Sequence, residues 1–83
     1  MMPITFTKHA QYQLRERNIS PAAVRRCVTR PDKVILQHRN RFRAVKEVKK
    51  IRWSGLLVVV YEQRQDIVEV VTAFYTSKVE KYL

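Results

Sequence analysis

Loop-forming residues are scarce in this chain: one glycine and three prolines in 83 residues argue against a flexible or low-complexity segment. A single cysteine, Cys27, excludes an intrachain disulfide, so nothing asks for an oxidising compartment. The longest apolar run, Leu56 to Tyr61, is too short to cross a bilayer, and the N-terminus lacks a signal-peptide hydrophobic region. A cytoplasmic protein with no membrane partner is the expectation. Cys27, His9 and His38 have no spacing typical of a zinc site, so neither a metal nor another cofactor is expected.

Acidic residues are also few, and unevenly so. Residues 1 to 52 hold fourteen Lys or Arg against three acids, whereas residues 53 to 83 hold three against four. The net charge of +10 is therefore localised. Such a field attracts polyanions by counterion release, with nucleic acid the first candidate partner and an acidic protein the second. The plain alternative is a solvated face that keeps a small protein soluble.

What is present is organised around Phe6 to Pro21. A helical period places Ala10 and Leu14 on one face, with His9, Gln13 and Arg17 as a stripe beside them. Thr7 is a suitable N-cap, putting His9 in the first turn, where free N–H groups and the helix dipole favour an anion over an imidazolium. Asn18 suits a left-handed turn after a first helix from Lys8 to Arg17. Ser20-Pro21 repeats the start signal for a second helix to about Thr29, with Ala23, Val24, Cys27 and Val28 on its core face. Arg30-Pro31 ends it.

From Lys33 the period changes to two. Lys33 to His38 reads as a strand, Arg39-Asn40 as a turn, and Arg41 to Ile51 as its partner. In that second strand either Lys46 points at the covered face or a bulge at Val45-Lys46 reverses the phase. Leu56 to Tyr61 reads as a central strand, and Ile67 to Phe74 as another, with Val68, Val70, Thr72 and Phe74 on one face. Pro3 to Phe6 forms a short extended lead-in suited to a sheet edge, and Ser77 to Leu83 a docked terminal turn of helix. The expected architecture is one α+β domain over 1–83. Two N-terminal helices pack on an antiparallel sheet of about four strands, followed by a short C-terminal helix.

His9, Arg15, Arg17, Ile19 and Ser20, the basic hairpin, Leu57 to Glu62 and Val70-Val71-Thr72-Ala73 together resemble a prokaryotic domain-of-unknown-function family. Its pattern is an F-x-x-H-A-x-x-x-x-x-x-R-x-I-S opening and a V-V-T-A ending. That family is similar to the RelE and BrnT toxins, small basic α+β proteins. The resemblance implies a RelE/BrnT-like fold, metal-independent ribonuclease activity on free or ribosome-bound RNA, and an acidic antitoxin as partner.

Cleaving RNA without a metal requires a base for the 2′-hydroxyl, cations for the phosphorane and an acid for the leaving oxygen. His9 is the natural base, and Arg17 and Lys46 are the candidate phosphate holders. Tyr61 or Tyr75 is placed to donate a proton or stack a base, and Thr72 to orient a partner. Arg15, Arg39, Arg41, Arg43, Lys49 and Lys50 are the candidate RNA-binding cations, most of them in the basic stretch Arg39 to Arg52 that leads into Trp53. Plainer readings stand beside these. His9 is also a helix-start residue held by nearby backbone, Arg15 and Arg17 are also solvated, Tyr61 is also a core or interface aromatic, and the basic hairpin is also an edge that resists aggregation. Two other functions remain open: a non-catalytic nucleic-acid-binding module, and a homodimeric interaction domain using a sheet face and Tyr82-Leu83.

Overall fold

A computed structural model describes residues 3–83. The order of elements is β1 (Ile4–Phe6), α1 (Lys8–Glu16), α2 (Pro21–Thr29), β2 (Lys33–His38), β3 (Arg41–Lys49), β4 (Ser54–Arg64), β5 (Ile67–Thr76) and α3 (Val79–Tyr82). The two N-terminal helices start where side-chain oxygens take their free amides. Thr7 accepts from the Ala10 N–H at 3.0 Å, and Ser20 from the Ala23 N–H at 3.1 Å, with Pro21 in the first turn of α2. Asn18 closes α1 in the left-handed region, at φ 54°. Its N–H donates to the Arg15 carbonyl and that of Ile19 to the Leu14 carbonyl, and the buried Ile19 and Leu14 join the same core.

The expected four-stranded antiparallel sheet is overturned. Five strands form one mixed sheet in the order β1-β5-β4-β3-β2. The difference lies in the lead-in, where Ile4, Thr5 and Phe6 pair with Val68, Glu69 and Val70 in parallel. Three residues carry too little periodicity to reveal a partner or its direction. The partner is more than sixty positions away in sequence.

The phase of β5 is also corrected. A bulge falls at Val71, between the pairs Tyr61–Val70 and Val60–Thr72. Val68, Val70, Ala73 and Tyr75 consequently face the helices, whereas Phe74 faces away. In β3 the register with β4 is unbroken from Arg41–Glu62 to Lys49–Ser54. Lys46 therefore does point to the helix side, opposite Leu57.

Helices α1 and α2 lie on one face of the sheet, α1 over β5 and β1, α2 over β4 and β3. Their core joins Ala10, Leu14, Ile19, Val24 and Cys27 to Ala44, Leu57, Val59, Val68, Val70 and Ala73. On the other face Val45, Leu56 and Val58 are covered by Phe74 and by Tyr82 of α3, whose ring meets Phe74 edge-on at 5.9 Å. No helix among the described residues is long and apolar enough to cross a membrane.

Candidate nucleic-acid interface

β1 is short, and its length decides where the polar groups of α1 go. Pairing stops at Val70, with the Thr7 N–H reaching the Val70 carbonyl at 3.1 Å, so β5 has no further strand partner on that side. The α1 stripe fills the gap. The Thr72 hydroxyl donates to the Gln13 side-chain carbonyl, and Arg17 Nη1 donates to the Ala73 carbonyl at 2.7 Å. Arg17, expected to hold a phosphate, and Thr72, expected to orient a partner, are thus brought to one sheet edge. Arg17 satisfies a backbone carbonyl of that edge, and Thr72 ties the edge to α1 through a side-chain bond.

Arg17 still has donors to spare, because a guanidinium carries five N–H groups and its side chain makes one hydrogen bond among the described residues. It lines a cleft of about 220 Å³ with Asn18, Lys50, Trp53 and Tyr75. The Trp53 and Tyr75 rings meet edge-on, with centroids 5.5 Å apart at 76°, and the Lys50 ammonium lies 5.0 Å from the Tyr75 ring centre. Lys50 is set there by the turn that joins β3 to β4. In that turn the Lys50 N–H donates to the Trp53 carbonyl at 2.7 Å.

A second cleft, of about 330 Å³, adjoins the first and shares Lys50 and Tyr75 with it. Ser20, the N-cap of α2, and Arg26 of that helix border it on one side, and Lys46 and Glu47 of β3 on the other. Lys46 is tethered, since its Nζ donates to the Arg30 carbonyl at 2.8 Å, at the C-terminal end of α2 where the dipole favours a cation. Four cations from the end of α1, from α2, from β3 and from the β3–β4 turn therefore converge on two joined clefts. Two of them are oriented by backbone carbonyls.

Other expected site residues lie elsewhere. His9 is exposed in the first turn of α1, eight residues before Arg17 and so about 12 Å from it along the axis. It borders neither cleft. Tyr61 is buried in the core, its ring stacked on Phe42 at 5.5 Å and 19°, and burial pushes its hydroxyl above the ordinary phenol value. Arg15 borders a different groove, at the corner between the two helices. Arg41 pairs with Glu62 at 2.6 Å. Arg43 lies under α3, its guanidinium 5.1 Å from the Tyr82 ring centre and its Nε buried without a hydrogen-bond partner among the described residues. Arg39 sits at the β2–β3 turn and Lys49 at the end of β3, both exposed.

Arg26 is the cleft cation that sequence reading did not single out. Its companions lie on elements that only the fold brings together. The nearest signal was Gly55, the one glycine, two residues after the one tryptophan. Among the described residues no group of His, Cys, Asp and Glu is arranged to hold a metal ion.

The family model for a domain of unknown function, DUF4258, matches residues 6–81. The chain belongs to this family. The DUF4258 match runs from the end of β1 into α3, and so takes in every residue of both clefts. No curated protein and no solved structure matches the chain.

Proposed function

We propose that this DUF4258 chain binds single-stranded RNA along the two joined clefts. Arg17, Arg26, Lys46 and Lys50 hold the backbone, and Trp53 and Tyr75 lie at one end. The observation that carries this reading is the convergence of those four cations beside two half-buried aromatic rings. Scattered surface lysines keep a protein soluble wherever they fall, whereas cations tethered to the Ala73 and Arg30 carbonyls are held in fixed positions. Ordered charge loses less side-chain freedom when a phosphate arrives. The test is fluorescence polarisation of a labelled single-stranded RNA, with Arg26→Ala and Lys50→Ala beside wild type. Each variant should weaken binding several-fold and flatten its salt dependence by about one ion. Equal affinity in all three proteins would remove the clefts from the account.

The second reading is a toxin of a toxin-antitoxin pair, a RelE/BrnT-like metal-independent ribonuclease held in check by an acidic antitoxin. It is favoured by the F-x-x-H-A opening and by Arg17 and Lys46 lining adjoining clefts, where they could carry the charge of a phosphorane. In this reading RNA continues from Arg17 back along α1 to reach His9, and the antitoxin covers the cleft cations. Incubating free and ribosome-bound RNA with wild type and His9→Ala decides between the two. New cleavage ends that depend on His9 support the nuclease. Binding without cleavage supports the binding module.

A further inference from the structure

We propose that the corner between Trp53 and Tyr75 takes one unpaired nucleobase, an inference that rests on the RNA-binding reading above. The corner is built by a close approach. A Cβ on Gly55 would stand 2.7 Å from both Cζ2 and Cη2 of the Trp53 indole, and it would also strike the Thr76 carbonyl. The indole is therefore laid on the backbone of β4 at a place where any larger residue would lift it away. Its ring stands at 76° to that of Tyr75. Both half-buried rings, set at this angle, line the first cleft.

A ring packed only for stability gains most by being covered on all sides. Cations stand against these rings: the Lys50 ammonium lies over the Tyr75 ring, 5.0 Å from its centre, and Arg17 lines the same cleft. That combination suits a nucleotide. A base offers its flat face to one ring and its edge to the other, while the phosphates on either side of it meet Lys50 and Arg17. A paired base has its faces covered by neighbours in the helix, so duplex RNA cannot enter the corner without opening.

Trp53 is the only tryptophan in the chain, so its emission reports on this corner alone. Three strands of equal length are titrated into the wild-type protein: unlabelled single-stranded RNA, the same RNA annealed to its complement, and an abasic ribose-phosphate strand. Polarisation of labelled copies measures binding independently. Single-stranded RNA should quench Trp53 with the dissociation constant that polarisation gives. The abasic strand should bind about tenfold more weakly, the weight of one stacked base, and leave the emission unchanged. The duplex should bind without quenching. Tyr75→Leu, checked for folding by circular dichroism, should reproduce the tenfold loss for single-stranded RNA and show no loss for the abasic strand. If single-stranded and abasic strands bind equally and the emission does not move, the base site is overturned while RNA binding stands. If polarisation shows no binding of any strand at low salt, both proposals fall.

Discussion

Arg17 donates to the Ala73 carbonyl at 2.7 Å, across 56 positions of sequence, and so closes a sheet edge that the three-residue β1 leaves open. The same guanidinium is thereby held at the mouth of a basic cleft. One hydrogen bond serves the fold and orders the site.

Removing that bond should cost stability as well as binding. Arg17→Ala leaves a strand-edge carbonyl to water and should lower unfolding free energy by about 1 to 2 kcal/mol, measured by urea denaturation. Arg17→Lys should recover part of the loss, because an ammonium reaches the carbonyl but lacks the second arm. An unchanged urea midpoint in Arg17→Ala would show that the edge needs no cap.

Gly55→Ala should be destabilising by about 1 to 3 kcal/mol, since the new methyl strikes both the Trp53 ring and the Thr76 carbonyl. The displaced indole should also change the near-ultraviolet circular dichroism. Thermal unfolding and that spectrum, taken on one sample, check both effects.

Arg39 sits at φ 50°, and as the first residue of a two-residue hairpin loop it occupies a position that favours glycine. Arg39→Gly should raise stability by up to about 1 kcal/mol. The residue is exposed and outside both clefts, so RNA affinity should fall only by the effect of one distant charge.

Cys27 is fully buried, and its thiol lies 3.6 Å from the carbonyls of Ala44 and Leu57. Desolvation pushes it from the ordinary 9.0 up to about 12. Between those values the folded chain holds a proton that the unfolded chain releases, so stability falls as pH rises from about 9 to about 12. Cys27→Ala should flatten that part of the pH profile. In wild type at neutral pH a thiol reagent should label Cys27 only on unfolding.

Glu62 accepts from Arg41 at 2.6 Å and from Arg64 at 2.9 Å, and these hydrogen bonds hold its carboxyl below the usual carboxylate value. The contribution of this pair is present above the ordinary carboxylate range and lost as pH falls through the depressed value. Carbon-detected NMR titration should find the low midpoint, and Arg41→Ala should raise it.

The helices were the most legible part of the chain. Thr7, Ser20-Pro21 and Asn18 act within a few residues of themselves, so their chemistry is visible locally. The β1–β5 pairing and the bulge at Val71 were not, because each is defined by a strand far away in sequence. The site divided along the same line. Arg17 and Lys46 were singled out as candidates from their positions on a stripe and a strand face, yet the carbonyls that orient them belong to Ala73 and Arg30. Tyr61 was open to two readings, proton donor or core aromatic, and the stacking of Phe42 and the packing of α2 over β4 place it in the core. Arg26 looked like ordinary helix charge until β3 and the Lys50 turn came beside it.

The most direct test of the account is amide and indole chemical-shift mapping during titration with single-stranded RNA. The account predicts the largest changes at Arg17, Arg26, Lys46, Lys50, the Trp53 indole and Tyr75, with Arg43 and Tyr82 on the opposite face unmoved. Changes centred on Arg43 and α3, or spread evenly over all the basic residues, would contradict it.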